Sequence, residues 1–89
     1  MKGREMPITI RGIIIPVDWD EKGRVVAVAV SGQNEEEYLI DKDYKGRELM
    51  HYIEEEVEVR GIAREAKDKK MITVQKYILK KAPGQEGIP

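Results

Sequence analysis

Val57-Glu58-Val59-Arg60-Gly61-Ile62 decides how this chain is read, because it repeats, residue type for residue type, a pattern near the start, Ile8-Thr9-Ile10-Arg11-Gly12-Ile13. Both alternate apolar and polar side chains, are rich in β-branched residues, and are too short and too β-prone to be helices. Both also carry a glycine where a strand would ordinarily avoid one. Six residues are no evidence of duplication. They read instead as one mechanical device used twice, a glycine bend in each of two strongly coiled strands. In the first, the alternation gives way after Gly12 to the continuous run Ile13-Ile14-Ile15-Pro16-Val17. A bulge at Gly12 that swaps the faces, letting one long strand serve two sides of a barrel, is the expected cause.

Working outward, Asp18–Arg24 is a polar loop containing Gly23, and Val25-Val26-Ala27-Val28-Ala29-Val30 after it reads as a buried strand that forms a hairpin with the first. The turn Ser31–Asn34 leads to a short third strand, Glu35–Asp41, acidic at its start. The period then changes. Leu49, Met50, Tyr52 and Ile53 recur at helical spacing, which predicts a helix of two to three turns over Arg47–Glu54, with Asp43 as a candidate cap. The fourth strand follows, then a lysine-rich turn, Ala66–Lys70, and a fifth strand, Met71–Leu79. Residues 1–7 read as an N-terminal tail, 8–81 as the domain, and the Pro/Gly-rich 82–89 as a flexible C-terminal tail.

Length and composition agree with a single small domain. Its 89 residues are 40% hydrophobic and 37% charged, enough for one core in a densely ionic shell. The chain has no cysteine, which excludes disulfides and thiolate chemistry. No apolar run is long enough to span a membrane and the first residues lack a signal-peptide centre, so a cytoplasmic location and no membrane partner are expected. The net charge of −1 hides a partition: Glu35–Glu58 holds ten acids and three bases, Arg60–Lys81 eight bases and two acids. Such a chain can present one face of each sign.

Three strands, a helix, then two strands, with glycine bends in strands one and four, resemble the OB-fold, a mainly β, five-stranded Greek-key barrel with one short helix between strands three and four. The fourth strand, Val57-Glu58-Val59-Arg60-Gly61, is similar to the Val-x-Val-x-Gly strand of small bacterial OB domains. An SH3-like barrel would not normally hold the helix. The resemblance implies a core of Ile10, Ile14, Val26, Val28, Leu39, Val57, Val59, Ile72 and Val74, with Leu49 and Ile53 closing one end. It also implies a binding face on strands two and three, flanked by the loops Asp18–Arg24 and Ala66–Lys70.

Single-stranded nucleic acid is the ligand this face would take, with Arg24, Arg64, Lys67, Lys69 and Lys70 on phosphates and Trp19, Tyr38 or Tyr77 stacking on bases. The alternative is a protein-interaction or assembly module using complementary acidic and basic faces. Asp18-Trp19-Asp20-Glu21-Lys22-Gly23 resembles the start of a calcium loop but fails at Lys22 and at Ala29, so it reads as a hairpin turn and no metal site is expected. His51, the only histidine, reads as a solvent-facing helical residue. Ser31, the only serine, has no histidine or acid arranged around it. Neither catalysis nor a cofactor is expected.

Overall fold

The computed structural model describes residues 5–33, 36–66 and 68–80; Lys67 and the expected tail 82–89 lie outside them. Five strands, β1 (Glu5–Trp19), β2 (Val25–Gly32), β3 (Glu37–Ile40), β4 (Glu56–Ala66) and β5 (Lys69–Leu79), form one sheet that closes on itself. Their order around the ring is β1-β2-β3-β5-β4. All neighbours are antiparallel except β3 and β5, which run parallel through Leu39↔Met71 and Ile40↔Ile72. No helix among the described residues is long and apolar enough to cross a membrane.

The closure has a definite stagger. Followed from strand to strand, the pairs Ile15↔Ala29, Ala29↔Leu39, Leu39↔Met71, Met71↔Arg64 and Arg64↔Glu5 return to β1 ten residues from where they started. For five strands about 4.8 Å apart rising about 3.3 Å per residue, that stagger requires a tilt of roughly 54° and a radius of about 7 Å. Half the stagger would leave about 5 Å, too little for side chains from opposite walls to meet. The large tilt demands long strands, and β1 is long enough to pair with β4 over Glu5–Ile13 and with β2 from Gly12 onward.

The two glycines sit where a neighbouring strand's backbone comes close. A Cβ on Gly12 would stand 2.1 Å from the Ser31 carbonyl oxygen, and one on Gly61 2.1 Å from that of Thr73. At Gly61 the ladder also slips, from Arg60↔Lys76 to Gly61↔Val74, leaving Gln75 as the extra residue of a bulge. Gly12 behaves differently from expectation. Alternation continues through it, with Ile10 and Ile14 buried and Ile13 45% exposed, and the β1 irregularity falls instead between Pro16 and Trp19. Gly12 therefore marks a close approach and a hand-over between partners, and no change of face.

The interior is a cluster of Ile10, Ile14, Val28, Val30, Ile40, Leu49, Val57, Val59, Ile72 and Val74. Two expected members, Val26 and Leu39, are only half-buried. Leu39 lies between the inward Tyr38 and Ile40 and so points out of the ring. Val26 is displaced by the slip from Asp18↔Ala27 to Trp19↔Val25, which brings Val25 against the core instead. Ile53 packs on the cluster from the side, as a partly buried member.

The helical segment is shifted from the expected Arg47–Glu54, starting three residues earlier and ending two earlier: α1 covers Tyr44–Glu48 and continues as a 3-10 turn, Leu49–Tyr52, which holds the apolar Leu49, Met50 and Tyr52. Asp43 caps it, accepting a hydrogen bond from the Gly46 N–H at 2.9 Å. It stops because Ile53 is extended and Glu54 takes a left-handed φ of 72°, after which Glu54 N–H donates to the Ile14 carbonyl at 2.7 Å. Leu49, fully buried, is thereby pinned over one end of the ring. Two further boundaries move. β1 starts at Glu5, within the expected tail, and β4 and β5 pair as far as Ala66↔Lys69, so Ala66, Lys69 and Lys70 of the expected five-residue turn belong to strands.

Gly12→Ala and Gly61→Ala should each lower stability by about 1–3 kcal/mol, since the added methyl meets backbone that cannot yield without shifting a strand. Urea midpoints equal to that of the parent protein would show that the strands are not this close.

Candidate functional site

The alternation of β2 builds the site. Val28 and Val30 enter the core, so Ala27 and Ala29 face outward, yet they are only 7% and 2% exposed. They are sunk between larger neighbours: Ile15 and Leu39 flank Ala29 on adjacent strands, and Leu39 is followed by Met71 on β5. The outer face of β2–β3 is therefore an apolar groove. Two depressions along it, of about 450 and 420 Å3, share Val17, Leu39 and Lys69. Lys69 and Lys70 line the end beside the β4–β5 turn, with Glu37 and Asp68. Asp18, Asp41 and Lys42 line the other.

The residues singled out from sequence separate into those at this groove and those elsewhere. Lys69 and Lys70 are at it. Trp19 is 53% exposed, two residues beyond the groove-lining Val17, and borders a separate shallow depression formed by Asp20, Glu21, Lys22 and Arg24. Tyr38 pairs with Val30 and packs against the core half-buried, with the Lys70 ammonium 5.7 Å from its ring centre. Arg24 is held by Asp20, Nε to Oδ2 2.9 Å. Tyr77 is inward on β5, six residues beyond Met71, about 20 Å along the strand. Lys67 lies outside the described residues.

Arg64 is committed to the fold. Its guanidinium donates to Thr73 Oγ1 at 2.9 Å and to Asp41 Oδ1 at 3.1 Å, and the Thr73 hydroxyl donates to the other Asp41 oxygen. This clasp ties the end of β3 to β4 and β5, where the parallel ladder has only two residue pairs. The hydrogen bond and the charge of Asp41 raise the Arg64 pKa further above its ordinary value, so the clasp keeps its cation. Lys80–Glu58, at 3.3 Å, likewise joins the acidic middle of the chain to its basic end. The partition of charge along the sequence is thus partly consumed inside the fold, through Arg64–Asp41 and Lys80–Glu58.

Asp20, the pivot of the calcium-like loop, spends its oxygens locally: Oδ1 accepts from the backbone N–H groups of Lys22 and Arg24 at 2.8 and 2.9 Å. The Arg24 N–H foremost, with the other donors, holds its carboxyl below the usual range despite some desolvation. Among the described residues no three His, Asp or Glu side chains are grouped to hold a metal ion, and His51 is exposed on the 3-10 turn. Lys42 and the groove floor (Val17, Ala27, Ala29, Leu39 and Met71) were not anticipated as site residues. The Val-Ala-Val-Ala-Val pattern was the available signal, since alternate alanines on one face of a strand leave a furrow.

Comparison with protein-family models, curated proteins and solved structures finds no match.

Tyr77 makes its own structural bond, donating its hydroxyl to Glu48 Oε1 at 2.8 Å while its ring tilts against Tyr52, centroids 6.1 Å apart. That hydrogen bond first, and burial second, push its pKa up to about 12. The native state favours the protonated phenol, so the contact contributes fully below about pH 10 and is lost as pH rises toward 12. Ultraviolet titration should show one of the four tyrosines ionising near pH 12, and Tyr77→Phe should remove that step. A high-pH step that survives the substitution would contradict the assignment.

Proposed function

We propose that the ring is a Greek-key OB-fold barrel and that it serves as a non-catalytic binding module for a short stretch of single-stranded nucleic acid. Support for the fold comes from the strand order, the parallel β3–β5 contact and the helix between β3 and β4. The OB-fold's usual binding face is that of strands two and three, between the β1–β2 and β4–β5 loops. The groove occupies this face.

One observation carries the reading of its ligand: an open apolar floor of Ala27, Ala29, Leu39 and Met71 has lysines on its rim at both ends, Lys42 at one and Lys69 and Lys70 at the other. Unstacked bases need flat apolar contact and phosphates need cations. Asp18 and Glu37 on the same rim suit the exocyclic amino groups of bases, which donate to carboxylates.

A second reading has its own support. Among the described residues the floor contains no aromatic side chain and the rim mixes both signs, which also suits an extended apolar segment of a partner protein. Oligonucleotide titration followed by Trp19 fluorescence separates the two. For nucleic acid, binding should saturate at low salt and weaken with a log–log slope of about −2, as three lysine–phosphate contacts require. Leu39→Glu, which puts a charge on the floor, should abolish it. No saturation at tens of micromolar, or binding indifferent to salt, would leave the protein partner as the better reading.

A further inference from the structure

The groove has cations and an apolar floor but no stacking platform, and the missing element lies immediately beyond it. Lys42 lines both the groove and a second depression of about 570 Å3 on the outer side of α1, bordered by Tyr44, Arg47 and His51 with Asp43 and Glu48. Tyr44 is 79% exposed, the most exposed large apolar side chain among the described residues. No hydrogen bond ties its hydroxyl to a described residue, in contrast to Tyr77, which is tied to Glu48.

The charges of this cleft are unevenly used. Asp43 is held at the helix start by the Gly46 N–H, and Glu48 accepts the Tyr77 hydroxyl. Each carboxylate thus has a structural duty. Lys42, Arg47 and His51 form no ion pair among the described residues, and all three are exposed. An exposed aromatic ring with two unpaired cations beside it is the combination that a nucleotide uses, the base on the ring and the phosphates on the cations.

We propose that α1 carries a second nucleotide subsite, in which Tyr44 stacks on a base and Lys42 and Arg47 hold the adjoining phosphates, so that one strand runs from the β4–β5 turn along the groove, past Lys42, onto the helix. This rests on the nucleic-acid reading of the groove, and it assigns to the helix a role beyond covering the core with Leu49. The strand's length then matters. A ligand of about four nucleotides fills the groove alone, whereas one of about twelve reaches Tyr44.

Oligothymidylates of these two lengths test the proposal, with parent protein, Tyr44→Ala, Arg47→Ser and Leu39→Glu. Tyr44 and Arg47 are exposed, so their variants should fold as the parent does. Beyond the roughly nine-fold gain from the registers in which twelve nucleotides can occupy a four-nucleotide site, the longer oligomer should bind the parent about 10-fold more tightly than the shorter. Tyr44→Ala should remove that advantage and leave the shorter oligomer's affinity unchanged, and Arg47→Ser should act in the same direction with a shallower salt dependence. Leu39→Glu should weaken both. Equal affinity of Tyr44→Ala and parent for the longer oligomer would overturn the helix subsite while leaving the groove reading intact. Failure of either length to bind the parent would overturn both.

Discussion

Everything in this molecule depends on the ten-residue stagger with which five strands close. A five-stranded ring is the narrow case: without the steep tilt that this stagger imposes, opposite walls would stand too close for side chains to fit between them. Tilting opens the room that the valines and isoleucines of the core fill. It also sets the lengths of the strands, because a steeply inclined strand travels far around the ring and must change partners as it goes. β1 does this at Gly12 and Ile13, which pair with β4 on one edge and with β2 on the other.

The same constraint bears on the glycines of β1 and β4. At Gly12 and Gly61 a neighbouring carbonyl occupies the volume of a Cβ. The repeated Arg-Gly-Ile therefore reflects one geometric demand met in two strands, though the local solutions differ. In β4 the glycine faces a bulge on β5, whereas in β1 the alternation runs straight through it and the bulge comes later, at Val17. That later irregularity has a consequence for the site. It sets Val17 and Asp18 along the groove and brings Val25 inward in place of Val26.

The weak point of the ring is β3, four residues long and joined to β5 by two pairs. The Asp41–Arg64–Thr73 clasp stands at this point and compensates for the short ladder with charge-assisted hydrogen bonds. Arg64 and Lys80 are paired with Asp41 and Glu58 within the fold, and the groove's ends carry both signs, Lys69 and Lys70 beside Glu37 and Asp68 at one and Lys42 beside Asp18 and Asp41 at the other.

The sequence by itself determined the strand count, the position of the helix, its Asp43 cap and most of the core, because each is written in local periodicity or in a local hydrogen bond. It also located the basic turn. Which side chains of that basic third stay free was decided only by tertiary structure, since Arg64 meets Asp41 across 23 positions and Tyr77 meets Glu48 across 29. Register decided the rest. Whether Leu39 or Ile40 enters the core, and whether two alanines become a furrow, depends on partners that a single strand's pattern does not contain. The neighbourhood of Lys42 and Tyr44 is the furthest from view in the sequence, because it exists only where the end of a short strand turns onto a helix capped beside it.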